Sequence, residues 1–174
     1  MWKILSSSEI FKHPRLTLIE DVVELPDGTK TEYLKFKDDH DAATIIAKRE
    51  DGKILIAKEY SHPVGERLYQ FCGGAVPLEE KIEIGANREL MEEANLRANK
   101  LELLGSYLVN NRRSKEKMFV FLGTDLEEES LAGDKEEDIE LFWKSEDEID
   151  AMIRNGAIAN CHFLACWTMY KLKK

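Results

Sequence analysis

The feature that most constrains this chain lies between residues 74 and 96, where a glycine-marked loop runs into an acidic helix. The predicted helix covers residues 83–95 and carries three glutamates at i, i+3 and i+4, namely Glu89, Glu92 and Glu93. This spacing places all three carboxylates on one side of the helix. Like charges so arranged weaken a bare helix by about 0.2–0.5 kcal/mol per pair. Mg²⁺ would reverse that effect, because it prefers oxygen ligands and is often shared between carboxylates and substrate phosphates. The pattern therefore predicts metal-assisted attack on a phosphate compound.

The full spaced string resembles the Nudix box, written G-x5-E-x7-R-E-U-x-E-E-x-G-U with U aliphatic. The matching positions are Gly74, Glu80, Arg88, Glu89, Leu90, Glu92, Glu93 and Leu96. An isolated acidic run is more often a solvated helix face, but a chance match of the fixed positions is on the order of one in ten thousand or rarer. Asn95 replaces the second glycine, just past the helix end. Asn tolerates the left-handed backbone expected there, so we expect an intact site and a slightly less stable helix end.

Length and composition indicate one domain, or one domain with a small appendage, in a chain of 174 residues. There is no apolar run long enough to span a membrane, and the first residues lack the pattern of a signal peptide. The three cysteines form no C-x-x-C pair, which favours reduced thiols in a cytoplasm. Cys72 can be read as a reactive thiol or as a small buried filler. The net charge of -9 argues against general nucleic-acid binding but not against a small anionic substrate beside a bound metal.

The order of predicted elements indicates an α/β sandwich. Residues 1–38 read as short strands around the turn at 26–28, and a strand is expected at 68–72 before a box loop that begins with Gly73 and Gly74. The other predicted strands cover 42–48, 53–60, 101–109, 117–123 and 139–144. Helices follow from a Ser145 cap and over 161–172. Because hairpins dominate the connections, a doubly wound parallel sheet is disfavoured.

The resemblance extends beyond the box to residues 53–60, 68–74 and 136–139, and there it is to the ADP-ribose pyrophosphatase branch of the Nudix hydrolases. It implies an α/β/α sandwich with a mixed sheet over residues 40–174. It also implies a small N-terminal β-hairpin domain over residues 1–39. In that branch the N-terminal strands exchange across a homodimer, so a homodimer is expected.

The resemblance also implies a metal site. Mg²⁺ or Mn²⁺ would be held by the carboxylates of Glu89, Glu92 and Glu93 and by the carbonyl of Gly73. Arg88 would pair with a box carboxylate and hold the helix against the loop. We count Arg88 and Glu92 among the catalytic residues.

Two further residues of the box, Gly74 and Glu80, have structural roles in this reading. Gly74 marks the box loop, and Glu80 would fix its geometry by hydrogen bonding. A glutamate of the late loop would orient or deprotonate the attacking water, and Glu137 falls at that place. Glu136 is the competitor, because a slip of one residue is easily made in a loop.

Substrate contacts are predicted for Arg112, Arg113 and Tyr60. The arginines could clamp a phosphate in the bidentate manner that suits guanidinium, or they could be exposed loop charges. Tyr60 could stack a base or be a core residue of its strand. The branch usually has Gln-Tyr-Arg where this chain has Glu59, Tyr60 and Ser61, so a substrate-contacting arginine is missing.

The implied function is metal-dependent hydrolysis of the pyrophosphate bond of a nucleoside diphosphate linked to another moiety. ADP-ribose is the first expectation and another nucleotide sugar the second. One alternative is a non-catalytic nucleotide-sensing Nudix domain, but such domains often lose box glutamates and this chain keeps them. Another is an enzyme acting on modified nucleoside triphosphates, for which the leading hairpin domain is not expected. The expected partners are a small nucleotide and a second copy of the chain, with no nucleic acid and no membrane.

Overall fold

The computed structural model describes residues 1–37, 39–133 and 138–173. The chain forms two compact units. The first contains Met1–Asp39 together with Leu108–Lys117, and the second contains His40–Tyr107 together with Met118–Lys174. The segment Leu108–Lys117 was assigned from the sequence to the second domain, and it packs with the first unit here. The domain roles, including dimerisation through residues 1–39, stay predictions.

The first unit is a three-stranded antiparallel sheet in the order β1-β2-β3. Its strands are β1 (Lys3–His13), β2 (Leu16–Glu24) and β3 (Lys30–Phe36). The hairpin between β2 and β3 closes through the Leu25 N–H, which donates to the Thr29 carbonyl at 2.8 Å. Gly28 occupies the turn with φ of 86°, a backbone conformation that glycine adopts without strain. The predicted hairpin is therefore present, and β1 extends it by one strand.

The second unit is built on two sheets. Its strands are β4 (His40–Ala47), β5 (Ile54–Ser61), β6 (Glu66–Gln70), β7 (Cys72–Pro77), β8 (Leu96–Leu108), β9 (Lys117–Glu128) and β10 (Ile139–Lys144). One sheet has the order β7-β4-β9-β8 and the other has the order β10-β5-β6. The first of these is mixed, because β4 runs antiparallel to β7 and parallel to β9.

Helices cover both faces of these sheets. In the described part of the unit they are α1 (Ile82–Ala94), α2 (Glu146–Arg154) and α3 (Cys161–Leu172). Alternation along β4 sends Ala43 and Ile45 into a core shared with Leu90 of α1, whereas Ile46 packs in a second core with Phe163 of α3. This arrangement confirms the predicted α/β/α sandwich. No helix in the described ranges has the length and apolar character needed to cross a membrane.

Of two local predictions, the helix cap at Ser145 is confirmed and the loop at Gly73 and Gly74 is not. Ser145 caps α2 with a complete capping box, in which its side chain accepts from the Glu148 N–H and the Glu148 carboxylate accepts from the Ser145 N–H. The prediction that Gly73 and Gly74 begin the box loop was wrong, because both lie inside β7. There they pair with Thr44 and Ala43 of β4.

Candidate active site

The box folds as a strand, a tight turn and a helix. Strand β7 ends at Pro77, whose carbonyl accepts from the Glu80 N–H at 2.9 Å, and α1 begins at Ile82. The helix ends at Asn95, where φ is 54° and ψ is 36°. The left-handed backbone expected at this position is therefore present with Asn in place of glycine.

Arg88 connects the turn, the strand and the helix. Its Nη1 lies 2.7 Å from Glu89 Oε1 and 2.9 Å from Glu92 Oε2. Its Nη2 donates to the Ala75 carbonyl at 3.1 Å and to Glu80 Oε2 at 3.3 Å. Burial by itself would lower the pKa of Arg88, but the Glu80 and Glu89 carboxylates raise it above its ordinary value. Arg88 therefore stays charged and holds the helix against the loop.

The Glu89 carboxylate lies against a strand that has no side chain at the point of contact. Glu89 is 9% exposed. A Cβ atom on Gly74 would lie 2.6 Å from Glu89 Oε2, and one on Gly73 would lie 2.2 Å from the Ala43 carbonyl oxygen. Since heavy atoms do not approach this closely, both positions require glycine if the sheet and the carboxylate are to keep their places.

Glu93 reaches the same strand one residue earlier. Its Oε2 accepts from the Gly73 N–H at 3.3 Å. Cys72 is 2% exposed, and burial, with the Glu93 carboxylate as a further cause, raises the pKa of its thiol. A buried thiol with a raised pKa stays protonated, so the filler reading of Cys72 fits its environment and the reactive reading does not.

The donor chemistry of this site fits a hard divalent cation. The Glu93 carboxylate contacts β7 at Gly73 and the Glu89 carboxylate lies beside Gly74, so two acidic side chains lie against one stretch of backbone. As arranged here, Glu89 and Glu92 are paired to Arg88. Within residues 1–37, 39–133 and 138–173, no three His, Cys, Asp or Glu side chains are placed to hold one ion.

The late-loop glutamates, Glu136 and Glu137, lie outside the described residues. The described residues on either side are fixed to the second unit. Before the loop, the Leu131 N–H donates to the Met91 carbonyl of α1 at 3.3 Å. After it, Arg67 Nη1 donates to Asp138 Oδ2 at 2.6 Å. The hydrogen bond to Asp138 raises the pKa of Arg67. Sequence reasoning missed Arg67, because a single arginine at the start of a strand carries no motif.

The predicted substrate residues are not assembled in one unit. Arg112 and Arg113 belong to the first unit, whereas the box and Tyr60 belong to the second. The Arg113 guanidinium donates to the Leu34 carbonyl at 3.1 Å and lies 5.6 Å from the centre of the Tyr33 ring. The Arg112 side chain is exposed, and Tyr60 is 50% exposed on β5. Arg113 therefore has a structural partner, and Tyr60 is not a core residue.

Comparisons with known proteins identify relatives of this chain. The family model described as the NUDIX domain matches residues 38–164, and the one described as the nucleoside diphosphate sugar hydrolase N-terminal domain matches residues 2–33. ADP-ribose pyrophosphatase of Bacillus subtilis (strain 168) is 29% identical over 144 residues, covering 80% of this chain and 76% of the relative. ADP compounds hydrolase NudE of Escherichia coli (strain K12) is 30% identical over 132 residues, covering 74% of this chain and 70% of the relative.

A solved structure described as an ADP compounds hydrolase shares the fold, with a TM-score of 0.89, 20% identity, and coverage of 98% of this chain and 92% of its own. The chain belongs to the Nudix family. It is a hydrolase that acts on pyrophosphate bonds, resembling the ADP-ribose pyrophosphatases. Members of this family generally use divalent metal ions and small nucleotide substrates.

Proposed function

We propose that this protein hydrolyses the pyrophosphate bond of ADP-ribose or a related nucleoside-diphosphate sugar, with Mg²⁺ or Mn²⁺ as the cofactor. The observation that carries the proposal is the placement of the Glu89 and Glu93 carboxylates against Gly73 and Gly74. This placement brings two acidic side chains to one stretch of β7, and carboxylate oxygens are the ligands preferred by a divalent cation that is shared with a diphosphate. The names of the relatives and the match of residues 2–33 support a nucleotide sugar as the substrate.

The metal, when bound by Glu89, Glu92, Glu93 and the Gly73 carbonyl, would offset charge on the phosphate oxygens and lower the pKa of water. The chain's own residues prepare that site. Arg88 keeps the helix against the loop through Glu80 and the Ala75 carbonyl. The Gly73 N–H fixes one oxygen of Glu93. A late-loop glutamate, Glu137 or Glu136, would accept the proton of the attacking water.

The matched variants Glu93→Gln and Glu83→Gln test this proposal. Both residues lie on α1, but Glu83 is exposed in its first turn and occupies a position where the box specifies no residue. With ADP-ribose and Mg²⁺ we expect Glu93→Gln to lower kcat by about 100-fold or more, since a neutral amide is a poor ligand for a hard cation. Glu83→Gln should leave kcat unchanged. Product identification in ¹⁸O-labelled water would show which phosphorus is attacked.

Two results would count against the proposal. Equal turnover of the Glu93→Gln variant and the wild type would remove the metal role of Glu93. Binding of ADP-ribose without release of AMP or ribose phosphate, at any Mg²⁺ or Mn²⁺ concentration, would favour the sensing alternative. Mass measurement in solution would test separately the homodimer that the family resemblance implies.

A further inference from the structure

A small cavity lies beside the box strand on the face of the sheet that α3 covers. Its volume is about 120 Å³, and its lining includes Gly73 of β7, Thr44 of β4 and Phe163 of α3. A water molecule takes up about 30 Å³ of the liquid, so the space corresponds to roughly four waters. Of the predicted metal ligands, only Gly73 lines this cavity.

Gly73 separates the cavity from a predicted metal ligand. One side of the Gly73 peptide lines the cavity, and its N–H donates to Glu93 Oε2 at 3.3 Å. Thr44 Oγ1 donates to the preceding carbonyl, that of Cys72, at 2.9 Å. A group entering the cavity would therefore be separated by the Gly73 peptide from Glu93, a predicted metal ligand.

The polar side of the cavity is formed by Tyr107 and His162. The Tyr107 hydroxyl lies 2.9 Å from His162 Nδ1 and 3.9 Å from Cys166 Sγ. Burial raises the pKa of Tyr107 and raises that of Cys166 to about 11, so both keep their protons at neutral pH. Gln70 also lines the cavity, and its side-chain Nε2 donates to Glu59 Oε2. The cavity therefore offers a protonated hydroxyl beside an imidazole.

The aromatic rings of the cavity leave little room for a nucleobase. Phe71 and Phe163 stack on each other, with ring centres 4.2 Å apart and planes at 22°. A base needs an open aromatic face, and the faces by which Phe71 and Phe163 stack on each other are not open to one. The wall is also held in place, because Asn160 caps the start of α3 through the Phe163 N–H and donates to the Tyr69 carbonyl at 2.6 Å. Groups that suit this space are small and carry hydroxyls.

We propose that this cavity receives hydroxyls of the sugar on the far side of the pyrophosphate, and that Tyr107 and His162 are the residues that select a hydroxylated group there. The inference rests on the proposed function, because it takes the substrate to be a nucleoside-diphosphate sugar. His162 orients the Tyr107 hydroxyl, and that hydroxyl meets the sugar. A site built to pair with a hydroxyl discriminates strongly against an analogue that lacks one.

The test compares ADP-ribose with the β-methyl ester of ADP, which has the same nucleoside diphosphate but no sugar. For Tyr107→Phe we expect kcat/KM for ADP-ribose to fall by about 10-fold or more, and kcat/KM for methyl ADP to stay the same. His162→Ala should act like Tyr107→Phe. His162→Asn should recover part of the loss, because its amide can replace Nδ1 as the partner of the hydroxyl.

Tyr170→Phe is the matched control. Tyr170 also lies on the face of α3 that packs on the sheet, and its hydroxyl donates to Glu146 Oε1 at 2.7 Å and accepts from Lys48 Nζ at 2.9 Å, but it does not line the cavity. This variant should lower the melting temperature and leave the ratio of the two kcat/KM values unchanged. An equal fall for both substrates in Tyr107→Phe would overturn the inference, because it would show a structural role only.

Binding measurements separate this inference from the proposed function. If the wild type hydrolyses neither these compounds nor other nucleoside-diphosphate sugars, the proposed function fails, and the affinities of ADP-ribose and methyl ADP then decide the role of the cavity. Weaker binding of ADP-ribose to Tyr107→Phe, with unchanged binding of methyl ADP, would support the inference. Unchanged binding of both compounds would overturn it.

Discussion

At the scale of single residues, the acidic cluster of α1 is partly neutralised by the arginine beside it. The sequence correctly placed Glu89, Glu92 and Glu93 on one helix, and their spacing alone predicted mutual repulsion. In the structure Arg88 contacts two of these carboxylates and also Glu80. The repulsion is therefore reduced without a cation, although the carboxylates still outnumber the one guanidinium. What favours a cation is the position of Glu89 and Glu93 against Gly74 and Gly73, which spacing alone could not show.

Replacing Arg88 with Lys tests how far this residue replaces a cation. A lysine ammonium cannot span Glu80, Glu89, Glu92 and the Ala75 carbonyl at once, because it lacks the planar fork of guanidinium. In the absence of divalent ions we expect the free energy of unfolding to fall by about 1–3 kcal/mol. Excess MgCl₂ should restore more stability in Arg88→Lys than in the wild type, as measured by urea denaturation.

The control for this change is Arg97→Lys. Arg97 pairs with Glu129 at 3.1 Å, and both side chains are well exposed, so this ion pair should contribute little. A loss of stability no larger than that of Arg97→Lys, with no added response to MgCl₂, would show that Arg88 does not compensate the cluster.

At the scale of elements, the sequence predicted those features that depend on local chemistry. The Ser145 cap, the α1 helix and the left-handed end at Asn95 each follow from a few neighbouring residues. The assignment of Gly73 and Gly74 to a loop failed, since glycine signals a turn unless another strand pairs with it. That pairing comes from β4, about 30 residues earlier in the chain, and close approach of its backbone explains the glycines.

The end of α1 provides a prediction at this scale. Asn95 has φ of 54°, whereas Asn155 at the end of α2 has φ of −90°. We expect Asn95→Ala to lower the free energy of unfolding by about 1 kcal/mol, because a side chain with Cβ and no local hydrogen bond is strained there. Asn95→Gly should stabilise slightly, and Asn155→Gly should not. Chemical denaturation of the three variants would measure this, and equal effects of glycine at both positions would contradict it.

At the scale of the whole molecule, chain connectivity limits what a sequence can reveal. Segment 108–117 lies between β8 and β9 in the chain, yet its Arg113 carbonyl accepts from the Phe36 N–H at 2.7 Å and its Arg112 carbonyl accepts from the Tyr33 hydroxyl at 2.6 Å. These contacts join residues 77 to 79 positions apart. No local pattern encodes such a contact, so the sequence divided the chain near residue 39 and left this segment with the second domain. The cavity beside Gly73 could not be predicted for the same reason, because its lining residues, such as Thr44 and Phe163, lie far apart in the sequence.

The first unit should respond to acid through one buried carboxylate. Asp21 is 4% exposed, accepts from Ser7 Oγ and pairs with Lys35 Nζ at 2.6 Å. Burial by itself would raise the pKa of Asp21, but the contacts with Lys35 and Ser7 lower it overall. A carboxyl whose folded pKa is lowered adds stability that is full above its unfolded pKa of about 3.9 and is lost as pH falls through the folded value.

Asp21→Asn should therefore reduce stability most at neutral pH. There we expect the free energy of unfolding to fall by about 1–3 kcal/mol, because Lys35 loses its anionic partner. The difference from the wild type should shrink as pH falls below the unfolded pKa of about 3.9 and through the lowered folded pKa, since the wild-type carboxyl is then protonating as well. Urea denaturation across this range, followed by tryptophan fluorescence in a background where Trp143 and Trp167 are replaced by Phe, reports on Trp2 in the same unit and measures the change. Glu32→Gln on the exposed side of β3 should show no such convergence, and a constant difference for Asp21→Asn at every pH would mean that packing, not charge, explains the role of Asp21.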